Sequence, residues 1–340
     1  MREFECIKKY FAPLAKAIEG ALDLQDDAAV LNLGEDKRLV IASDVCVEGV
    51  HFPVGTSPSL IARRALRINL SDIAAMGALP IGYTQTLILR KGIDRHWIKD
   101  YASGLKKDQD LFECPLLGGD MVATVQENAL LSVSMTILGL TDQESVLTRS
   151  KAMVGDQIYV TGFIGDAVIG RKILLDGKFT HLPQKLKDYF LERFYLPTPR
   201  VQEIAHIKRY AHAAIDISDG FVADLGHICR ASQTQALVNL REIPFSKPLR
   251  HLLEALTDTE RQALIQELLT GGDDYELLLS VSPDKQEDFL FSAQTYSISL
   301  YPVGHMGFLS KSTNRKNIVR VIGEDGHQLS FSSDGYEHTW

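Results

Sequence analysis

The segment that most restricts the fold of this chain is residues 213–228, AAIDISDGFVADLGHI. Its first half alternates apolar and polar residues, which places Ile215 and Ile217 on one face of a predicted strand and Asp216 and Ser218 on the other. A strand that runs directly into a helix is a building unit of α/β architectures. The sequence therefore predicts a sheet packed against helices, with polar groups gathered where this strand ends.

The second half of the segment predicts a turn followed by a helix. Asp219 is followed by glycine, a pair typical of a turn, and Phe221, Leu225 and Ile228 share one face of a helix. Either Ser218 or Asp219 could cap this helix by accepting backbone N–H bonds. Capping alone accounts for one of the polar residues, so the corner is also a candidate binding site.

Strand-like and helix-like segments alternate along the chain. Strands are predicted at residues 37–43, 81–89, 130–140 and 157–161, helices at 59–75 and 263–269, and a helix cap at Asp166. A chain of 340 residues normally forms more than one domain. Since the stretch TRSKAMVG separates two series of segments, we predict an N-terminal domain at residues 1–148 and a C-terminal α/β domain at 149–340.

Composition excludes several classes of protein. Hydrophobic residues make up 45% of the chain, enough for a large core, and the net charge of −8 argues against nucleic acid or an anionic membrane surface as a partner. No uncharged apolar run is long enough for a membrane helix. The cysteines, Cys6, Cys46, Cys114 and Cys229, are scattered, which predicts neither a zinc site nor a disulfide framework. We therefore expect a cytoplasmic protein.

Acidic residues recur beside glycine, serine or a second carboxylate at the ends of apolar segments. The motifs are Asp26-Asp27, Ser43-Asp44, Ser71-Asp72, Gly118-Gly119-Asp120, Asp216 with Ser218-Asp219, and Gly271-Gly272-Asp273-Asp274. Neighbouring carboxylates repel and raise one another's pKa, whereas Mg²⁺ or Mn²⁺ bound by oxygen ligands removes that penalty. One such motif is more often a plain turn, but this number predicts a site for several Mg²⁺ ions that bridge to substrate phosphates.

The common nucleotide-binding motifs are missing. The sequence contains no G-x-x-x-x-G-K-[ST] loop, no G-x-G-x-x-G fingerprint at the start of a βαβ unit, and no protein-kinase motif set. The nearest glycine loop, TGFIGDAVIG, fits none of them. An ATP site in this chain therefore needs another architecture.

Taken together, the motifs resemble the thiamine-monophosphate kinase family, within the aminoimidazole-ribonucleotide synthetase-like ATP-binding superfamily. The shared segments are DDAAVL, ASDVCVEGVHF, NLSDIAAMGA, LLGGD, LTRS, GDQIYVTG, IDISDG with DLGHI, GGDDYELL and GYEH. The resemblance implies a two-domain α/β fold of the α+β type, whose N-terminal sheet pairs with that of a second subunit in a homodimer. It also implies Mg²⁺-dependent transfer of the ATP γ-phosphoryl group to thiamine monophosphate, giving thiamine diphosphate and ADP.

The resemblance also implies roles for individual residues. Magnesium ligands are expected at Asp27, Ser43, Asp44, Asp72, Asp120, Asp216 and Asp219. ATP contacts are expected at Gly119, Asp120, Arg149 and Ser218, and thiamine monophosphate contacts at His51, Asp273 and Tyr336. We expect no general base, because the acceptor phosphate is already ionised and transfer depends on positioning and charge neutralisation.

The chain departs from the family pattern at four places. They are Gln25, Ala42, Met121-Val122 and Asp273, and they affect the expected affinity more than the reaction type.

Other functions remain open. The nearest competitor is a different enzyme of the superfamily, of the selenide dikinase or purine-pathway synthetase type, although Cys6 lies in a glycine-free stretch unlike the dikinase loop. The motifs also fit a non-catalytic nucleotide-binding protein or a metal-dependent phosphohydrolase. Release of ADP and the destination of the phosphate distinguish these functions.

Overall fold

The chain forms two β-sheets, each packed against helices. The computed structural model describes residues 3–15, 19–34, 36–310 and 318–337, and of Cys6 only the backbone. The strands are β1 (Ala29–Asn32), β2 (Lys37–Val47), β3 (Leu79–Leu89), β4 (Leu116–Ala123), β5 (Ser132–Asp142), β6 (Gln157–Val160), β7 (Ala211–Asp216), β8 (Thr234–Asn239), β9 (Leu277–Val281), β10 (Tyr301–Phe308) and β11 (Val319–Ile322).

The helices lie mainly between these strands in the chain. They are α1 (Glu3–Cys6), α2 (Ala12–Ala15), α3 (Pro58–Ala75), α4 (Arg95–Phe112), α5 (Asp166–Leu174), α6 (Gln184–Tyr195), α7 (Ile204–Ile207), α8 (Phe221–Ser232), α9 (Lys247–Glu254), α10 (Asp258–Thr270) and α11 (Gln286–Thr295). A π-helix, Ile7–Phe11, separates α1 from α2, and short 3-10 helices occur at Glu19–Leu24, Gln143–Ser145, Arg149–Lys151, Leu240–Glu242 and Pro283–Lys285. No helix of the described segments combines the length and the apolar character that crossing a membrane requires.

The first sheet, in the order β1-β2-β5-β3-β4, is covered by helices on one face. Side chains of β5 alternate, so that Val133, Met135 and Ile137 are buried on the face that packs against α3. Each such side chain contributes roughly 1.5–3 kcal/mol when fully buried. The edge strand β4 is instead exposed along its whole length, including its apolar residues.

The second sheet, in the order β11-β8-β10-β6-β9-β7, is buried on both faces. On β7, Ile215 packs with Phe221 and Leu225 of α8 in the C-terminal core, and Ile217 follows it into the same core. Ala214 belongs to the other core, which contains α3. The predicted alternation of this strand is confirmed, and it turns Asp216 toward α3 of the first half of the chain.

Several local predictions need correction. The strand predicted at residues 37–43 continues to Val47, so Ser43 and Asp44 lie within β2 and not at its end. The helix cap predicted at Asp166 is wrong, because Gly165 is the N-cap of α5 with a φ of 86° and Asp166 is its first helical residue. The buried carboxylate of Asp274 accepts the Gly165 N–H at 2.9 Å, so a neighbouring loop supplies the bond that a cap side chain would make.

Candidate active site

Three carboxylates from distant parts of the chain meet where the two halves touch. Asp27 lies in the bend before β1, Asp72 lies near the end of α3, and Asp216 is the last residue of β7. One oxygen from each lies within 4.8 Å of the others. Asp216 Oδ2 is buried and has no hydrogen-bond partner among the described residues. Clustered carboxylate oxygens with an unsatisfied lone pair suit a hard divalent cation such as Mg²⁺.

Burial and the charges of neighbouring carboxylates disfavour ionisation of Asp44, Asp72 and Asp216. Burial raises the pKa of Asp72 well above its usual value, and the charge of Asp44 raises it further. Burial likewise raises the pKa of Asp216, and Asp27 adds to the increase. The pKa of Asp44 is also raised, first by burial, although a hydrogen bond with Asp72 lowers it. The site therefore favours any cation that keeps these groups ionised.

Arg149 is the cation that the protein itself supplies to the cluster. Its Nη2 donates to Asp27 Oδ1 at 2.5 Å, and its backbone N–H donates to Asp26 at 3.3 Å. Burial and the neighbouring charge of Asp27 raise the pKa of Asp26 to about 7, although Arg149 lowers it. One guanidinium faces several carboxylates, so ionisation of all of them requires a further cation.

The corner after β7 is held by a residue that sequence reasoning did not assign a role. Asp224, in the first turn of α8, accepts the backbone N–H groups of Asp219 and Gly220 at 3.1 and 3.0 Å. The capping interpretation of Ser218 or Asp219 is wrong, because Gly220 is the N-cap of α8. Asp219 is left to face the site, and burial raises its pKa to about 7.

A second group of side chains brings two predicted substrate contacts together around Arg64. The Nε of Arg64 donates to the His51 carbonyl oxygen at 3.1 Å, and Nη2 donates to Asp273 Oδ1 at 2.5 Å. Its Nη1 donates to the carbonyl oxygen of Phe194, whose ring lies 4.1 Å from the guanidinium carbon. His51 Nδ1 accepts the Val47 N–H at 3.0 Å. His51 and Asp273 are therefore linked through one buried arginine, which the sequence analysis missed.

A cleft of about 1170 Å³ opens beside the carboxylate cluster. Its walls include Arg149, Asp219 and Tyr336, together with parts of α1, α8 and the C-terminal segment. Tyr336 is 43% exposed, and its backbone N–H donates to the Asp219 carbonyl oxygen at 2.9 Å. Arg149 connects the cleft with the cluster, since the same side chain lines the cleft and binds Asp27. The cleft is large enough for a small organic substrate.

Ser43 is directed away from the carboxylate cluster. Along β2 the even-numbered Val40, Ala42 and Cys46 are buried, and Asp44 shares that face. The Ser43 hydroxyl lies on the opposite face, where it donates to the Met135 carbonyl oxygen at 2.9 Å. Strand pleating therefore turns the Ser43 hydroxyl away from Asp44.

Gly119 and Asp120 also lie apart from the cluster. Both belong to the exposed edge strand β4, where Gly119 pairs with Gln85 and Asp120 with Thr86. The sheet order places two strands between β4 and Asp44 on β2, a separation of about 14 Å at the usual spacing of strands. Within one chain these residues and the carboxylate cluster form two separate groups.

The fold and the carboxylate site define a protein related to AIR synthase. A family model described as "AIR synthase related protein, N-terminal domain" matches residues 25–141, and its C-terminal counterpart matches residues 153–307. Together these matches cover most of the chain and both sheets.

Curated relatives narrow the class further. The chain is 36% identical to the thiamine-monophosphate kinase of Escherichia coli strain K12, over 99% of this chain and 98% of the relative. It is 30% identical to the enzyme of the same name from Buchnera aphidicola subsp. Acyrthosiphon pisum, with the same coverage. The chain therefore belongs to the thiamine-monophosphate kinase family.

Solved structures of this family superpose on the whole chain. A structure described as "AaThiL complexed with AMPPCP and TMP" gives a TM-score of 0.81 at 26% identity, covering 100% of this chain and 99% of that one. The thiamine-monophosphate kinase of Stenotrophomonas maltophilia K279a gives a TM-score of 0.74 at 31% identity, covering 94% of this chain and 98% of that one. The predicted two-domain fold is thus confirmed at the level of the whole chain.

Proposed function

We propose that this protein transfers the γ-phosphoryl group of ATP to thiamine monophosphate, giving thiamine diphosphate and ADP. The observation that carries the proposal is the meeting of Asp27, Asp72 and Asp216 within 4.8 Å, beside an arginine that lines a large cleft. Full-length relatives named thiamine-monophosphate kinase support the substrate, as does the related structure described with AMPPCP and TMP.

The donor set fits Mg²⁺, and we propose that the site holds several ions. Asp27, Asp72 and Asp216 would form its centre, because their oxygens converge and Asp216 Oδ2 is left unsatisfied in the described structure. We assign Asp44 and Asp219 to the same ligand set, with the Ser43 carbonyl as a further donor. Bound Mg²⁺ would supply the positive charge that lets carboxylates and substrate phosphates approach one another.

The remaining side chains position the substrates. Arg149, which lines the cleft, would bind phosphate oxygens of ATP, and Ser218 would contact ATP from the corner that it shares with Asp219. His51 and Asp273 hold the acceptor, and Tyr336 contributes an exposed aromatic ring to the cleft wall. The acceptor phosphate is already ionised at neutral pH, so no side chain has to remove a proton. Catalysis then depends on alignment and charge neutralisation.

We further propose a homodimer in which β4 lies against a second copy. The support is the exposure of its apolar residues, among them Leu117 at 55% and Met121 at 58%, on an unpaired sheet edge. We retain Gly119 and Asp120 as nucleotide contacts, and Asp120 as a magnesium ligand, at the margin of this proposed interface, where a ligand can still reach them. We also retain the domain boundary between residues 148 and 149 and a cytoplasmic location without nucleic-acid or membrane partners.

The test of the reaction is direct. Purified protein is incubated with ATP, Mg²⁺ and thiamine monophosphate, and the thiamine products and ADP are separated by chromatography. We expect thiamine diphosphate and ADP in equal amounts. ADP with free phosphate and no diphosphate would identify a phosphohydrolase, and ATP binding without ADP would identify a nucleotide-binding protein. If ATP binds but thiamine monophosphate is not phosphorylated, the assay is repeated with the acceptors of the other superfamily enzymes. ADP formed only with one of those acceptors would identify such an enzyme.

The test of the dimer compares two exposed positions. Met121→Lys places a charge on the proposed interface, and we expect the molar mass in light scattering to fall to that of one chain of 37.8 kDa. Val125→Lys is the matched control, since Val125 is 89% exposed and lies just after β4. A wild-type protein that is already monomeric would contradict the proposal.

A further inference from the structure

Arg64 joins three separate segments of the chain at one buried point. It lies on α3 with 1% of its side chain exposed, and its guanidinium contacts the His51 carbonyl, the Phe194 carbonyl and the Asp273 carboxylate. These contacts belong to the loop after β2, the end of α6 and the loop before β9. A planar guanidinium can satisfy such diverging acceptors together, whereas a lysine ammonium acts as a point charge.

The backbone around Asp273 is held in an uncommon conformation. Asp273 has a φ of 67°, in the left-handed region that non-glycine residues seldom adopt. The preceding Gly272 also has a positive φ, and a Cβ there would lie 2.0 Å from the Ser218 carbonyl oxygen. That same oxygen accepts the Asp273 N–H at 2.9 Å. The backbone of this loop is therefore fixed against the Ser218 corner, and Arg64 fixes the direction of its carboxylate.

We propose that Arg64 is the positioning residue for the acceptor substrate, because it fixes His51 and Asp273 relative to each other. The inference rests on the proposed function, in which these two residues contact thiamine monophosphate. Arg64 acts through them and takes no part in phosphoryl transfer. Its loss should therefore weaken acceptor binding much more than ATP binding.

Arg67 provides a matched control on the same helix. It is also buried, with 7% of its side chain exposed, and it donates to Asp108 at 2.5 Å and to the Pro197 carbonyl at 2.8 Å. Its guanidinium carbon lies 5.2 Å from the ring centroid of Phe112. Arg67 thus holds the segment after α6, much as Arg64 holds the end of α6. The hydrogen bonds of Arg67, however, reach neither His51 nor Asp273.

The experiment compares Arg64→Lys and Arg67→Lys by thermal unfolding, by calorimetric binding of thiamine monophosphate, and by kinetics with each substrate varied separately. Both variants should lose thermal stability. We expect Arg64→Lys to raise the Kd and the KM for thiamine monophosphate about tenfold, because small misplacements of contact groups are costly. Its KM for ATP should change less than about twofold, and Arg67→Lys should change neither KM by more than that.

A double variant tests whether Arg64 acts through Asp273. Because coupled residues are non-additive, Arg64→Lys with Asp273→Asn should weaken acceptor binding no more than the stronger single variant. The inference would be overturned if the two substitutions reduced the affinity for thiamine monophosphate additively. It would also be overturned if Arg64→Lys raised the KM for ATP and the KM for thiamine monophosphate equally, or left the Kd for thiamine monophosphate unchanged. The proposed function would stand in each case. If the wild-type protein binds thiamine monophosphate but does not phosphorylate it, the proposed function is wrong. The Kd values of the two variants then still decide whether Arg64 positions the acceptor. Failure to bind it would overturn both.

Discussion

The two groups of charged residues in this site balance their charges in opposite ways. In the carboxylate cluster, Asp27, Asp72 and Asp216 converge with Arg149 as their protein cation, and a buried carboxylate oxygen stays unsatisfied in the described structure. Around Arg64, each arm of the guanidinium already has an acceptor within the protein. An incomplete charge balance requires a ligand from outside, whereas a complete one fixes geometry. The comparison separates residues that we propose to bind ions from residues whose charges are already paired within the protein.

The largest effect is expected from Asp216→Asn. Loss of this proposed metal ligand should lower kcat/KM about a thousandfold, which is roughly 4 kcal/mol of transition-state stabilisation. The same change removes a buried ionisable group from among other carboxylates, so the metal-free variant at pH 8 should unfold at a temperature a few degrees higher than the metal-free wild type.

Asp108→Asn is the control for Asp216→Asn. Asp108 is fully buried but paired with Arg63 and Arg67, so its change should lower thermal stability and leave kcat/KM nearly intact. Calorimetric unfolding in a chelator and steady-state kinetics in Mg²⁺ measure both quantities. A metal-free Asp216→Asn protein less stable than wild type would remove the distinction between the two groups.

Asp273→Asn should have a smaller effect on catalysis and the opposite effect on stability. Asparagine tolerates the left-handed φ of 67°, so the backbone is preserved while the charge opposite Arg64 is lost. We expect the KM for thiamine monophosphate to rise about tenfold and the free energy of unfolding to fall by about 2 kcal/mol. Denaturant unfolding and kinetics test this, and a stabilised Asp273→Asn protein would contradict the assignment of this group as internally balanced.

The smallest expected effect is the pH dependence of the thermal stabilisation by Mg²⁺. The pKa values of Asp26 and Asp219 are raised from 3.8 to about 7 by burial, so between about pH 4 and 7 the metal-free folded protein binds more protons than the unfolded chain. The contribution of these two groups to stability therefore falls as pH rises through this window. Since Mg²⁺ favours the ionised carboxylates, the increase in Tm on adding Mg²⁺ should be a few degrees larger at pH 8 than at pH 5. Equal increases at the two pH values would contradict this.

The sequence predicted the elements of the site better than the directions of its side chains. Alternation in β7 correctly separated Ile215 from Asp216, because a strand with period two allows little choice once one face is apolar. The strand end predicted at Ser43 was wrong, because the strand runs four residues further, and pleating turns the Ser43 hydroxyl away from Asp44. Local pattern does not encode where a strand stops when a neighbouring strand continues to pair with it.

Arg64 and Asp224 were missed for a different reason. Both are charged residues among apolar neighbours, in IARRALRINL and FVADLGHI, and that contrast is the signal available in the sequence. Their partners are backbone groups and side chains that the local pattern does not specify, such as the Phe194 carbonyl and Asp273 for Arg64. A pattern shows that a buried charge needs a partner, but only tertiary packing shows which partner it has.

The split origin of the carboxylate cluster has a consequence for how the chain folds. Asp27 and Asp72 belong to the first half, whereas Asp216 ends a strand of the second sheet, so the cluster forms when the two halves dock. Docking brings like charges together and raises the barrier of this last step unless a cation or a proton arrives with it. Refolding of the whole chain should therefore become faster as magnesium is added.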